Sequence, residues 1–381
     1  MKIAVNTRLL IKNKLDGIGW FTYENLKRIT QSHQEHQFYF LFDRPFSDEF
    51  IFSKNIEPII VSPSTRHPVL WYYWFEKRIP CVLNKIKPDI FLSPDGYLSL
   101  TTNVKSIPVI HDINFAHFPE DLPYSTRLYY NYFFPKYAKK AERIVTVSEY
   151  SKQDISSTYN IDKQNIDVVY NGSNPIYKPI SDLEKINIKK EYTDGSEYFI
   201  FIGSIHPRKN VSRMLLAFDK FRKLGQKPYK IIIIGSLFFK NREMRNTLNS
   251  LEYKKDILFF GHQSPENIKD LLGAARSLIL ASKFEGFGIP VLEAMNCDVP
   301  SIISESTSLP EVGGNAALYI DPFSIDSISN AMLKVADDTK WRNQLIENGK
   351  IQRKNFSWDK TANKLWESIL KATKLQNQTS L

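Results

Sequence analysis

Short β-branched runs alternate with amphipathic stretches along both halves of the chain, the pattern of a parallel sheet covered by helices. In the first half, Lys2–Asn6 reads as an opening strand, followed by a loop and a helix from about Ile18 to Thr30. Phe38–Phe42, Ile90–Leu92, Ile107–Ile110, Arg143–Val147 and Asp167–Val169 read as further strands, and an aromatic-rich helix is expected from Ser125 to Lys140. The segment Tyr170–Lys190 breaks the pattern. NGSNPIYKP concentrates Asn, Gly, Ser and Pro ahead of a charged, weakly patterned stretch, so a linker belongs there. The alternation then restarts with strand Tyr198–Ile202, helix Val211–Lys223, strand Lys230–Ile234, helix Lys240–Tyr253 and strand Ile257–Phe260. Helix Pro265–Ala275, strand Ser277–Leu280, a Gly-rich turn, helix Ile289–Asn296 and strand Ser301–Ile303 follow. The C-terminal stretch reads as helical, with Trp341, Trp358 and Trp366 as docking residues. The fold class is α/β: two doubly wound sheets in tandem, which should leave a cleft at the carboxyl ends of their strands, where α/β ligands bind.

Length and composition agree with two ordinary domains. The chain has 381 residues, 42% hydrophobic and 24% charged, which excludes disordered, collagenous and coiled-coil classes. No apolar run reaches the ~18–20 residues of a transmembrane helix. The N-terminal MKIAVNTRLL has no h-region or small-residue cleavage site, so a cytoplasmic chain is expected. Cys81 and Cys297 lie too far apart for a C-x-x-C motif and read as two reduced thiols. The net charge changes the picture more: 51 Lys and Arg against 41 Asp and Glu give +10, suited to nucleic acid, a phosphorylated metabolite or an acidic membrane. Up to residue 180 there are 22 basic and 18 acidic residues, and after it 29 and 23, so neither half is a basic arm. No helix-turn-helix, RNP or zinc pattern accompanies the charge, which argues against nucleic acid.

The strongest local signal is SKFEGFGIPVLE, Ser282 to Glu293. A strand ends near Ala281, Gly286, Phe287 and Gly288 open a turn, and Pro290 sits in the first turn of a helix, where its missing N–H costs nothing. Backbone N–H groups at that helix N-terminus make an anion site. Glu285 and Glu293, with seven residues between them, suit sugar hydroxyls better than phosphate. A nucleotide sugar combines both chemistries. In FIGSIHPRKN, Gly203 begins a turn after a strand, and Arg208 and Lys209 place two cations before the next helix. Helix-dipole reasoning would put acids there, so a bound diphosphate is the simplest reason for cations. In the other half, Asp16-Gly17-Ile18-Gly19 occupies the first strand-to-helix turn, a position for close approach to phosphate, without a full G-x-G-x-x-G. His111-Asp112 closes the strand Ile107–Ile110 at the edge where cleft residues belong.

From DGIGWFTYENL through VIHDINFAHFPE, IVTVSEYSKQDI and VVYNGSNPIYKP to FIGSIHPRKNVSRMLLAF, SKFEGFGIPVLEAM and SLPEVGGNAALYIDP, the chain resembles the retaining GT-B glycosyltransferases of family 4, the group 1 type. The resemblance covers roughly residues 1 to 350. It implies an acceptor-side Rossmann-like domain over 1–180, a donor domain over 181–355, and a C-terminal helix, 356–381, packing back toward the first domain. Carried over, it makes Arg208 and Lys209 the cations on the donor diphosphate. Glu285 and the backbone of Gly286, Phe287 and Gly288 would hold the transferred sugar, and Glu293 would accept from the ribose. Gly17 and Gly19 would approach the phosphates, and His111 would contact the sugar. Asp112, Ser148, Asn171, Gly203 and Ser282 would complete the donor site. Asp16 stands where many members have Gly, Ala281 where many have Pro, and Trp20 where Arg or Val is commoner; these departures bear on the acceptor-side loop.

The same resemblance points to mannosyltransferase-like members that build bacterial surface polysaccharide, such as lipopolysaccharide, and to GDP-mannose as first donor. UDP- and dTDP-sugars are the alternatives, and an epimerase on the same fold stands behind them. Stretching a glycosyl–phosphate bond loads charge on the diphosphate, so cations and N–H dipoles aimed at it are the useful groups. No D-x-D occurs, and no metal or other cofactor is expected. The acceptor is expected to be a glycan or a lipid-linked oligosaccharide. Finally, Leu70–Arg78, LWYYWFEKR, is aromatic and ends in two cations. As an amphipathic helix it would rest on the inner face of an anionic membrane or grip a lipid-linked acceptor; as packed aromatics it would belong to the domain.

Overall fold

The structure is a computed structural model that describes residues 1–225, 227–235 and 242–374. The chain divides into two compact units, Met1–Gly172 joined by the chain from Ser357, and Ser173–Phe356.

The first unit is a five-stranded parallel sheet in the order β3-β2-β1-β4-β5, with β1 Lys2–Asn6, β2 Gln37–Phe42, β3 Ile56–Ile60, β4 Ile90–Ser93 and β5 Ser106–Pro108. A two-stranded parallel pair, β6 Ile144–Thr146 and β7 Ile166–Val168, continues it through a bridge between Val109 and Val145. Its helices are α1 Gly17–Ser32, α2 Pro68–Tyr73, α3 Ile79–Ile86, α4 Asn114–His117, α5 Tyr124–Lys140 and α6 Glu149–Tyr159. Ile3, Ala4 and Val5 of the central strand are fully buried, because helices cover both faces of the sheet.

The aromatic segment Leu70–Arg78 is not one amphipathic helix. It runs from α2 into a π-helical turn, Trp74–Arg78, that turns inward. Trp74 and Phe75 are fully buried, Trp74 Nε1 donates to the Val61 carbonyl, and the buried Glu76 carboxylate accepts the Leu100 amide at 2.9 Å. Both tryptophans of the segment belong to the domain: Trp71, half-buried, donates from Nε1 to the Thr65 carbonyl at 3.0 Å.

The second unit is a six-stranded parallel sheet in the order β10-β9-β8-β11-β12-β13. Its strands are β8 Glu197–Ile202, β9 Tyr229–Ile234, β10 Ile257–Gly261, β11 Ser277–Leu280, β12 Ser301–Ser304 and β13 Ala317–Ile320. The helices are α7 Asp182–Thr193, α8 Val211–Leu224, α9 Arg242–Ser250, α10 Pro265–Gly273, α11 Ile289–Asn296, α12 Leu309–Gly313, α13 Ile325–Asp337 and α14 Thr339–Gln352. The uninterrupted apolar runs at Phe199–Ile202 and Ile231–Ile234 are central strands covered on both faces. The helix expected from Lys240 begins with residues 240 and 241 outside the described residues.

The last helix, α15 Trp358–Thr373, belongs to the first unit. Thr361 donates to the Tyr170 carbonyl, and Trp366 stacks on His33 at 3.9 Å. The expected border at 180/181 moves to 172/173. Tyr177 and Ile180 pack into the second unit, Tyr177 beside Glu293 and Ile180 against Gly273. The weakly patterned stretch after the linker is helix α7, closed at its start by a Ser181/Glu184 capping box.

Candidate active site

In the second unit the strand order reverses between β8 and β11, and the turns after these two strands carry the chemistry. After β8, Pro207–Lys209 forms a 3₁₀ turn whose N-cap, His206, accepts the Arg208 amide. Asn210 follows in the left-handed region at φ +59° and stitches the turn to its neighbours. Its side-chain amide donates to the carbonyls of Ala281 at 2.9 Å and Pro322 at 2.6 Å. After β11, Ser282–Gly288 leads into α11.

Four expected site residues meet here. The Glu285 carboxylate receives Lys209 Nζ at 2.5 Å and Ser282 Oγ at 2.7 Å on one oxygen, and Arg208 Nη1 at 3.1 Å on the other. Arg208 Nη1 also donates to the Phe284 carbonyl at 2.9 Å. Burial alone would push the Glu285 carboxyl up, but the Lys209 ammonium and the Arg208 guanidinium hold it down at about 2. The cluster is two cations around one carboxylate, net +1, and Glu285 is ionised throughout the physiological range.

The turn between Glu285 and α11 is clamped by residues far away in sequence. Thr307 Oγ1 accepts the Glu285 amide at 3.1 Å, and Ser308 Oγ donates to the carbonyls of Glu285 at 2.9 Å and Phe287 at 3.1 Å. Thr307 itself sits at φ +58°, a strained conformation for a β-branched residue. Gly288 caps α11 at φ +105°, and a Cβ there would lie 2.6 Å from Leu309 Cδ2, so only glycine fits. No side chain caps this helix start. The Phe287 side chain is buried edge-on against Phe356 at 5.6 Å, so any donor contact from this residue comes from its backbone.

Glu293 has different neighbours. It stands on α11 among Tyr177 and Cys297, and burial pushes its carboxyl up to about 7, with the Tyr177 hydroxyl the one group pulling it back. At Gly203, φ +151°, the backbone meets Gly235 so closely that a Cβ on Gly235 would sit 1.9 Å from the Gly203 carbonyl oxygen. Gly235 packs the ends of β8 and β9 together, a role the sequence did not mark.

In the first unit the candidates are dispersed over several strand ends. His111 Nε2 lies 2.8 Å from the Pro94 carbonyl, which can only accept, so Nε2 carries the proton and Nδ1 is the acceptor. Burial lowers the imidazole pKa, keeping it neutral near pH 7. Asp112 is turned to its own chain, accepting the Asn114 amide at 3.0 Å. Ser148 is the N-cap of α6, accepting the Ser151 amide at 3.0 Å, and Asn171 is buried with its side-chain carbonyl unsatisfied among the described residues. The expected phosphate approach at Gly17 and Gly19 falls on a helix start that already has a side-chain cap. Helix α1 starts at Gly17, and the Asp16 carboxylate itself accepts the Gly19 amide at 2.9 Å, so the N-terminus that would attract a phosphate already faces an anion.

Two families match the chain, Glycosyltransferase Family 4 over residues 15–175 and Glycosyl transferases group 1 over residues 183–352. An O-antigen chain mannosyltransferase B of Escherichia coli is 28% identical over 94% of this chain and 97% of its own length. The O-antigen chain mannosyltransferase RfbU of Salmonella typhimurium is 28% identical over 73% of this chain and 75% of its own. Among solved structures, Anabaena Alr3699/HepE in complex with UDP and glucose superposes with a TM-score of 0.74 at 16% identity, covering 97% of this chain and 99% of that one.

Proposed function

The chain belongs to the GT-B glycosyltransferases that pair a family 4 N-terminal domain with a group 1 C-terminal domain, and on that footing we propose that it transfers mannose from GDP-mannose, with retention, in bacterial surface polysaccharide synthesis. The observation that carries the donor side is the Arg208–Lys209–Glu285 cluster at the sheet's switch point, beside a helix start that no side chain caps. As the anomeric C–O bond to the diphosphate lengthens, negative charge grows on the leaving oxygen, and Lys209, Arg208 and the α11 amides stabilise it. Glu285 fixes both cations in advance. With each oxygen committed to a cation and its pKa near 2, it is a poor nucleophile and a good acceptor for sugar hydroxyls. The reading is therefore front-face transfer: the acceptor oxygen bonds to the anomeric carbon on the side the phosphate leaves, and the phosphate oxygen takes its proton. His111, neutral, would receive a sugar hydroxyl on Nδ1.

Mannose rests on the two O-antigen mannosyltransferase relatives. The acceptor class, a glycan or lipid-linked oligosaccharide, rests on the same relatives. The test is a panel of nucleotide sugars offered to the purified protein, read as donor hydrolysis and as the anomeric configuration of the product. GDP-mannose turning over at least tenfold faster than UDP- or dTDP-hexoses is expected; a UDP-hexose preference overturns the mannose assignment, and an inverted product overturns retention. Because two side-chain cations occupy the place of a metal clamp, turnover should survive EDTA, and a strict Mg²⁺ requirement would overturn that part.

A further inference from the structure

Among the described residues, eight other than glycine hold a positive φ, and Thr307 is the β-branched one. Several of the eight have a local reason. Lys87, Asn160, Asp194 and Lys374 are the C-caps of α3, α6, α7 and α15, where one left-handed residue lets a carbonyl at the helix end find an amide. Thr307 closes no helix: it stands at φ +58° between β12 and α12. A branched Cβ crowds the neighbouring backbone in that region, so the conformation persists only where the surroundings compensate it.

What compensates it is the turn that carries Glu285. Thr307 Oγ1 accepts the Glu285 amide at 3.1 Å, and without that oxygen the amide would lose the one partner it has among the described residues. The next residues extend the support. Ser308 Oγ has a single proton and shares it between the carbonyls of Glu285 and Phe287, and Leu309 packs where a Cβ on Gly288 would stand. Ser304 Oγ donates to the Ser282 carbonyl at 2.6 Å, and the Lys283 amide donates to the Arg208 carbonyl at 2.7 Å, so the support reaches the cation turn as well. The turn is thus held by its backbone, which leaves the Glu285 carboxylate to Ser282, Lys209 and Arg208. We propose that Thr307 is a positioning residue for glycosyl transfer. Its hydroxyl, kept in reach by a strained backbone, aims the Glu285 turn, and with it both cations and the α11 amides, at the donor diphosphate. It acts through Glu285 and touches no reacting atom.

The inference rests on the donor reading above, and Lys209→Ala separates the two failures. If that variant keeps the parental kcat/KM, the donor reading falls and this one with it; if it loses activity while the Thr307 variants do not, this one alone falls. Three variants of the full chain are compared with the parent, using GDP-mannose or a faster donor from the panel. Thr307→Ser keeps the hydroxyl, Thr307→Val keeps the branched shape without it, and Thr307→Gly removes both hydroxyl and strain. Turnover should follow the hydroxyl: kcat within about twofold of the parent for Ser, and down roughly tenfold for Val and Gly, with donor KM little changed. Thermal stability should follow the backbone: Ser melts no lower than the parent, and Gly melts above Val. A Gly variant more stable than Val and equally slow is a result that a merely structural residue would not give. If Val does not fold, Ser and Gly still decide. A Gly or Val variant with parental kcat, a Ser variant as slow as Gly, or turnover that simply tracks melting temperature across the series overturns the proposal. So does a loss confined to donor KM, which would make Thr307 a plain binding contact.

Discussion

Each sheet reverses its strand order once, and the two reversal points carry opposite electrostatic designs. In the first unit the reversal lies between β1 and β4, and a buried ion pair fills it. Arg8 Nε meets Asp95 Oδ2 at 2.5 Å, Asn6 donates to Asp95 Oδ1 at 2.8 Å, Arg8 Nη1 donates to Thr65 at 3.1 Å, and the guanidinium lies 4.2 Å from the centre of the Tyr97 ring. One cation cancels one carboxylate, both are buried, and the adjacent helix α1 is capped by its own Asp16. In the second unit two cations face one carboxylate, and α11 begins at a glycine with no side-chain cap. The same strand–turn–helix unit closes on one cation and one carboxylate in the first unit and sets two cations on one carboxylate in the second, which supports the proposal that the donor phosphates bind the second unit.

The sharpest way to break this contrast is to remove a charge from each point and read stability and turnover separately. Asp95→Asn strands Arg8 in the interior, and losing one partner of a buried pair typically costs about 3–5 kcal/mol. Urea unfolding should show that loss, while donor KM, measured below the transition, stays at the parental value. A shifted KM would mean that the first reversal point also holds donor. Lys209→Ala should do the reverse in kind, lowering kcat/KM by about 10²–10³, or about 3–4 kcal/mol of transition-state stabilisation. Loss confined to thermal stability, with kcat/KM intact, would reduce the cluster to a structural ion pair.

The sequence exposed this contrast only in part. Arg208, Lys209 and Glu285 were legible because each follows a strongly apolar strand, so strand ends alone placed them at one edge. Asn210, Thr307 and Ser308, which hold the cluster in shape, were not. Thr307 acts from 22 residues beyond Glu285, through a left-handed backbone that a β-branched residue does not advertise. The Arg8–Asp95 pair joins residues 87 apart and has no motif. Strand β3 was missed because Pro58 interrupts IEPII, which an edge strand tolerates. Helix α7 lacked an apolar stripe, although S-D-L-E at its start was a readable capping box.

The two ends of the E-x7-E turn offer a second, pH-dependent cut. The depressed Glu285 pKa contributes stability above its unfolded value of 4.5, lost only as pH falls toward about 2. Glu293 works in the opposite sense. Its raised pKa favours the fold while the group is protonated, fully below 4.5, and that contribution disappears as pH rises through about 7. Tyr177, Cys297 and the more distant Glu266 and Lys269 are titratable groups in this neighbourhood, and among the described residues the Tyr177 hydrogen bond is what opposes the effect of burial on Glu293. Glu293→Gln should therefore match the parent near pH 4 and exceed it by on the order of 3 kcal/mol near pH 8 in urea unfolding. If the ribose needs the carboxylate, the parent's donor KM falls over the same rise in pH, and the Gln variant's does not. Parallel stability curves would show that Glu293 is ionised in the fold at neutral pH.

The smallest expected effect separates the two helix starts. Asp16 takes the Gly19 amide, so Asp16→Ala removes a cap worth about 1 kcal/mol of stability. It also removes a negative charge from a helix N-terminus, where a phosphate would otherwise be repelled. If the first unit's turn takes no part in donor phosphate binding, donor KM is unchanged and only the melting temperature falls, by a few degrees. A donor KM that drops when Asp16 is removed would mean the opposite. The carboxylate would then be suppressing a phosphate contact that the Gly17–Gly19 amides can make, and the difference between the two units would lie in one side chain rather than in the architecture of the turn.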